Sequence, residues 1–400
     1  MPDKEALFRP LELPCGTVLK NRIVKSAMSD SLGDGQGQPT PEQIALYGRW
    51  AEGGVAAAII GEVQGDPSYA EKPGNLVLDR SSDLSRFRLL AKAGNTNGAH
   101  LWLQLGQAGA MAYPPISTPK GPSALDLPGL ACGELTLDEI SALPSMFATT
   151  AKLSRDAGFG GVQVHAAHGF LLSQFLSPLF NQRTDGYGGG IANRMRLLLE
   201  VIEAVRNAVG PAFPIALKLN SSDLLEGGLE EEDALKVVEA LDGTSIDLLD
   251  ISGGTYFPGA KSASDGSGKG PYFLEFARRA RALTAKPLML TGGFKTLAQA
   301  ADAASSGTVD VVGLARALAL EPSLPVFWKS DKMPEPVFPK FRETPEGGVT
   351  AWYTMRLTDI GAGLQTVDAN ALQGAIRTYE ARDAERAEIW NRHFGAPAEE

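Results

Sequence analysis

Two of the four histidines stand three residues apart in Val162-Gln163-Val164-His165-Ala166-Ala167-His168-Gly169-Phe170, at the end of an apolar, β-branched run. Imidazoles in this position admit three readings. They can be ordinary hydrogen-bonded structural histidines. They can ligate a metal, although His-x-x-His on a strand-to-loop turn, with no Cys or acidic residue in the loop, does not complete a site. Or they can aim two hydrogen-bond donors at one substrate oxygen and stabilise negative charge that develops there. A second kind of chemistry sits in Thr291-Gly292-Gly293-Phe294 and Gly313-Leu314-Ala315-Arg316, each closing an apolar run. Glycine lets backbone N–H groups close on a phosphate, and the Arg316 guanidinium adds a bidentate charge partner; a pair of plain tight turns is the alternative. Two polar residues also interrupt apolar runs, Gln104 in LWLQL and Lys218 in IALKL. A buried lysine needs solvent or an anionic partner, or it loses its proton. Otherwise Lys218 snorkels to the surface.

These residues share a location once the elements are laid out. Short β-branched and apolar runs recur at Arg22–Ala27, Val55–Val63, Ala99–Leu105, Gly161–His165, Pro214–Asn220, Ile246–Ser252, Lys286–Thr291 and Val309–Ala315, with helix-like stretches between them. Nearly continuous apolarity, as in VAAAIIG and IDLLDIS, suits parallel strands buried on both faces. In Asn193–Val209 the residues Met195, Leu198, Leu199, Ile202, Val205 and Val209 line one helical face. Thr40-Pro41-Glu42-Gln43 and Thr136-Leu137-Asp138-Glu139 have the form of helix starts with capping threonines. The pattern predicts an α/β fold, a (β/α)8 TIM barrel, with its active site where the strands end. An open doubly wound sheet binding a dinucleotide would want Gly-x-Gly-x-x-Gly after the first strand, where SAMSDS stands instead.

The longest gap, residues 106–134, carries five prolines and reads as a capping excursion over the barrel mouth after strand three. From Pro325 the texture changes. This predicts a barrel over 1–325 and a C-terminal extension, partly helical, over 326–400, in which Asp368–Phe394 reads as a solvated amphipathic helix. Lys+Arg 37 against Asp+Glu 47 gives a net charge of −10, which argues against nucleic acid or an anionic membrane as a partner. Cys15 and Cys132 are too few for a disulfide framework or an iron–sulfur cluster. With no signal-peptide pattern at the N-terminus and no apolar stretch approaching the roughly 20 residues of a membrane span, the expected location is cytoplasmic.

The segments NRIVKSAMS (21–29), HLWLQLGQAG (100–109), GVQVHAAHGFLLSQFLSPLFNQRTDGYGGG (161–190), IALKLNSSD (215–223), DLLDISGG (247–254), PLMLTGGF (287–294) and VVGLARAL (311–318) together resemble the Old Yellow Enzyme family of FMN-dependent ene-reductases and NADH:flavin oxidoreductases. The resemblance runs in order from about residue 6 to 325. It implies a barrel with FMN across its rim. Ser26, Ala27, Met28 and Ser29 would run beside the flavin ring, with the Ser29 hydroxyl near O4. The Val63 backbone, the Gln104 amide and the Lys218 cation would engage the pyrimidine edge, and Gly292, Gly293, Ala315 and Arg316 the phosphate. His165 and His168 would grip the substrate's activating oxygen. NADH or NADPH would reduce FMN, and flavin N5 would then deliver hydride to the β-carbon of an activated alkene. Relatives that reduce dienoyl thioesters or demethylate amines carry a cysteine cluster and further domains, so electrons here are expected directly from NAD(P)H.

Several positions depart from the family pattern. Phe170 stands where a proton-donating Tyr is usual, Ala27 where Pro is usual, and Ser29 where Thr or Cys is usual. Gln107, Ala110 and Gly186 replace the usual His, Arg and Glu. Phenylalanine has no proton to give. Tyr69, after strand two, and Tyr256, after strand six, are the expected substitutes; solvent is another source. The alternatives are a flavin oxidase, dehydrogenase or NADH oxidase on the same barrel, a flavin-free phosphate-binding lyase or isomerase, and a non-catalytic flavin binder. Trp352, Tyr353 and Trp390 in the extension would cover the barrel or a neighbouring subunit of a homo-oligomer.

Overall fold

Every one of the eight apolar runs pairs in parallel with its neighbours in a computed structural model, which describes residues 3–257, 260, 270–330, 335–341, 345, 347–364 and 372–395. The strands are β1 (Ile23–Met28), β2 (Ala57–Gln64), β3 (His100–Gly106), β4 (Gly161–Ala166), β5 (Ile215–Asn220), β6 (Leu248–Ser252), β7 (Leu288–Thr291) and β8 (Val311–Leu314). Pairing runs from β1 through β2 to β8, and β8 returns to β1, so the sheet closes into a (β/α)8 barrel. Closure leaves none of the eight barrel strands at an edge, and strands covered on both faces read as apolar on both. Register sets side chains from different strands at one depth: Gln163 lies beside Gln104, and Lys218 lies between His165 and Asp250.

Both expected helix starts form. Thr40 accepts from Gln43 N at 3.3 Å to open Pro41–Glu52, and Thr136 and Glu139 make a reciprocal capping box at the start of Leu137–Asp156. Thr296 and Gln299 build a second such box on Leu297–Ser305. The excursion after β3 is more ordered than its prolines suggest. Lys120–Gly121, Leu125–Leu127 and Leu130–Glu134 form a small three-stranded sheet.

The helix Leu324–Ser330 continues past residue 325 and packs on the barrel's outer layer, with Val326 N donating to Gly53 O and Trp328 buried. Beyond it, the helix Gly348–Ala362 lies on Pro41–Glu52; at Gly361 an added Cβ would stand 2.5 Å from Glu42 O, so glycine permits the approach. The helix Leu372–Phe394 corrects the expectation of a solvated element, because one stripe of it is buried on the rim. Residues 368–371 of the expected span lie outside the described residues. Arg386 donates to Ser31 O in the loop after β1, Trp390 is buried with Ala70 and Val77 after β2, and Asn391 donates to Pro115 O after β3. Trp352, Tyr353 and Trp390 therefore cover the chain's own barrel. Among the described residues no helix is long and apolar enough to cross a membrane.

Candidate active site

Inside the barrel, side chains from six strands join one buried polar network. Lys218 Nζ lies 2.5 Å from Asp250 Oδ2, and both are buried. Asp250 also accepts from Gln163 Nε2 at 3.0 Å and from the Thr291 hydroxyl at 2.7 Å. Gln163 in turn accepts from Gln104 Nε2 at 2.8 Å, and Thr291 shares a 2.9 Å hydrogen bond with Ser26. Gly313 on β8 makes that last bond possible, since a Cβ there would meet both hydroxyl oxygens at 2.3 and 2.4 Å. The anionic partner that a buried Lys218 demanded is thus Asp250. Sequence reasoning passed over it because it sits in the apolar run IDLLDIS; its position two residues before Ser252, on the same face of the strand, was the available signal.

At the rim, the end of β4 carries both histidines. Their ring centroids lie 5.2 Å apart, and Phe170 sits 5.0 Å from His165. His168 has a left-handed backbone, φ 63°, held by its N–H on Asn220 Oδ1 and its carbonyl on Tyr256 N; its Nε2 pairs with the Ser252 hydroxyl at 2.9 Å. Burial, then the charges of His168 and Lys218, drive the His165 pKa well below its ordinary value. Burial and Lys218 lower that of His168 to about 3. Both rings are therefore neutral near pH 7, each with one N–H to donate. A carboxylate that sequence reasoning missed approaches this pair: Glu62 Oε1 lies 3.3 Å from His165 Nε2.

Of the two expected tyrosines, Tyr256 lies with its ring tilted 5.4 Å from His168 and edge-on 6.2 Å from Phe170, on the exposed side of the cluster. Tyr69 packs against Phe170 with Ala108 and Ala112. Gln174 fixes this wall by donating to Ala108 O and Gly169 O and accepting from Ala110 N. The Asn-Gln-Arg-Thr-Asp run that follows is scaffold. Arg183 pairs with Asp185 and Glu134 and donates to Pro122 O and Leu135 O, which clamps the excursion onto the β4 loop.

On the far side, β7 and β8 pair Thr291 with Gly313, so the two glycine turns leave the barrel together. Gly292 and Gly293 have φ of 120° and 85°, which side chains rarely adopt. Ala315, at φ −108° and ψ −87°, opens the helix Arg316–Leu320, whose N-terminus has no side-chain cap. The Arg316 guanidinium lies 5.1 Å over the Tyr353 ring. Between these regions run Ser26, buried, and Ala27, Met28 and Ser29, half-buried. Met28 lies against β2, where a Cβ on Gly61 would stand 2.5 Å from its carbonyl oxygen; buried Val63 follows after a register shift.

The arrangement suits FMN on observations internal to the molecule. Polar atoms of Glu62, Gln64, Gln107 and His165, at the ends of β2, β3 and β4, are buried without a hydrogen-bond partner, the condition that a polar ligand relieves. Lys218 has three N–H donors, of which its contact with Asp250 engages one. Among the described residues no group of three or more His, Cys, Asp and Glu gathers as a metal site.

A family model described as the NADH:flavin oxidoreductase / NADH oxidase family matches residues 6–333. The chain is 35% identical over 353 residues to the NADH-dependent flavin oxidoreductase iliE of Neonectria sp. (strain DH2), covering 79% of this chain and 46% of that one. It is 31% identical over 399 residues to the NADH-dependent flavin oxidoreductase nadA of Aspergillus parasiticus, covering 92% and 88%. Among solved structures it is similar to 2-naphthoyl-CoA reductase bound to 2-naphthoyl-CoA, with a TM-score of 0.77 and 26% identity over 82% of this chain and 53% of that one. The chain spans about half the length of the first and third of these relatives and most of the second.

Proposed function

Because the chain belongs to the NADH:flavin oxidoreductase / NADH oxidase family, whose cofactor is FMN, we propose that it draws electrons from NADH or NADPH and passes them as hydride to an activated alkene of the enone type or a similar electrophile. The observation that carries this reading is the neutral histidine pair at the rim, 5.2 Å centroid to centroid, in register with a buried cation and across the barrel from the paired glycine turns. Bound FMN would supply the hydride chemistry, accepting from nicotinamide and donating from N5.

The chain's own residues would do the rest. Lys218 keeps free N–H donors for the electron-rich pyrimidine edge, which Gln104 and the Val63 backbone would also engage. Ser26, Ala27, Met28 and Ser29, at and just past the end of β1, would run beside the ring. Gly292, Gly293, Ala315 and Arg316 present backbone N–H groups and a guanidinium to the phosphate. His165 and His168 donate to the substrate oxygen, where charge grows as hydride arrives, so their bonds strengthen in the transition state. Tyr256 and Tyr69 bring the hydroxyls that flank Phe170.

Anaerobic mixing of the yellow holoprotein with NADH or NADPH tests the reading. Bleaching of the flavin band followed by recovery on addition of an enone supports it; a flavin that neither nicotinamide bleaches sinks it. A second reading, NADH oxidase, is favoured by Phe170, which is buried against His165 and puts no hydroxyl at the usual place of the proton donor. Recovery with O₂ and with no enone would select it.

A further inference from the structure

Glu62 has no part in the roles above, yet the fold takes trouble over it. Its backbone is left-handed, φ 57°, at a residue that is not glycine, inside an irregularity of β2 between Ile60 and Val63. Such strain persists where the surroundings hold it and is concentrated at functional sites. Its carboxyl is buried, with Oε1 3.3 Å from His165 Nε2 and Oε2 without a partner. Gly106 on β3 leaves room for it, since a Cβ there would stand 3.0 Å from Oε2. The other ring nitrogen, His165 Nδ1, is buried and unpartnered. Burial and the neighbouring Glu71 push the Glu62 pKa well up, so the contact joins a carboxylic acid to a neutral imidazole. A ring that accepts at Nε2 must carry its hydrogen on Nδ1.

Resting on the alkene-reduction reading, we propose that Glu62 holds the proton that completes the reaction and passes it through His165 to the substrate's carbonyl oxygen. As hydride from reduced FMN forms the C–H bond at the β-carbon, the alkene π pair shifts to the bond between the α- and carbonyl carbons. The carbonyl π pair takes the Nδ1 proton, and Nε2 takes the Glu62 proton. The product leaves as an enol that becomes the ketone in water, and the site resets when Nδ1 takes a proton from solvent and Nε2 returns its proton to the Glu62 carboxylate. No hydroxyl at position 170 is needed. Glu62 is thus a positioning residue that acts through His165.

The holoenzyme reducing an α-methyl cyclic enone in a single turnover tests this. The α-centre is expected to be racemic from the earliest time point, and a single α-enantiomer overturns the relay alone. Failure of every enone to reoxidise the flavin overturns the alkene reading and the relay together. Glu62→Gln is expected to slow reoxidation by enone roughly 100-fold or more relative to reduction by NADH, with partial rescue in Glu62→Asp; equal slowing of both halves marks a structural role and overturns the proposal. Independently of turnover, nitrogen NMR of the histidine-labelled holoprotein is expected to find the His165 proton on Nδ1. A proton on Nε2 overturns it.

Discussion

Lys218 and Lys25 are both buried, on β5 and β1, and the barrel treats them differently. Lys218 faces a carboxylate at 2.5 Å that two further donors hold in place. Lys25 has the Ser26 carbonyl oxygen at 2.7 Å and the Trp50 ring, 4.4 Å from its Nζ. The nearby acid, Asp30, is engaged by Gln43, Tyr47 and the Leu32 N–H. Burial lowers the Lys25 pKa from 10.5 to about 7, with Asp30 pulling it up and Lys218 pushing it further down. A carboxylate in contact preserves a cation inside a protein; an aromatic face and one carbonyl do not compensate its desolvation.

That contrast can be broken from the Lys218 side with the largest effect. Lys218→Met leaves Asp250 buried without its cation and is expected to cost about 3–5 kcal/mol in denaturant unfolding, and to strip FMN from the protein on dialysis. Asp250→Asn should make Lys218 resemble Lys25. We expect a loss of about 2–3 kcal/mol at pH 7 in denaturant unfolding, milder because the amide oxygen still accepts hydrogen bonds.

The Lys25 side gives smaller effects. Between about 7 and 10.5 the unfolded chain holds a proton on Lys25 that the folded chain does not. Its contribution to stability therefore rises with pH through that window by ~1.4 kcal/mol per pH unit, and the penalty is complete below it. Lys25→Met should remove this slope, read as the difference between the stability profiles of the two proteins from pH 6 to 10. Trp50→Phe is the mildest change, about 1–2 kcal/mol. It weakens the ring under the cation and deletes the Trp50 bond to Leu318 O, so its cost should shrink at high pH, where Lys25 is neutral.

The same contrast marks where the sequence was legible. Eight strands and two capped helix starts could be read because period and cap chemistry are local. His165 and His168 stood out at a strand end, Gln104 and Lys218 as polar breaks in apolar runs, and the structure gathers the first pair at the rim and the second inside the same barrel. Asp250, Glu62 and Lys25 did not stand out. Each lies within or at the end of an apolar run, and its meaning comes from a side chain on another strand or helix. The small sheet after β3 escaped because strands of two to five residues carry no period among prolines. Gly348–Ala362 escaped because its sequence is apolar on several sides, which gives no amphipathic signature to a helix wedged between two others.

The helix Leu372–Phe394 has a consequence for the order in which the pocket can be finished. It anchors the loops after β1, β2 and β3, built from residues more than 250 positions earlier in the chain. During synthesis the eight strands and the His165–His168 pair emerge first, and these loops lack this brace until Leu372–Phe394 has emerged. Bracing of the entrance therefore waits on translation of Leu372–Phe394, whatever the state of the barrel.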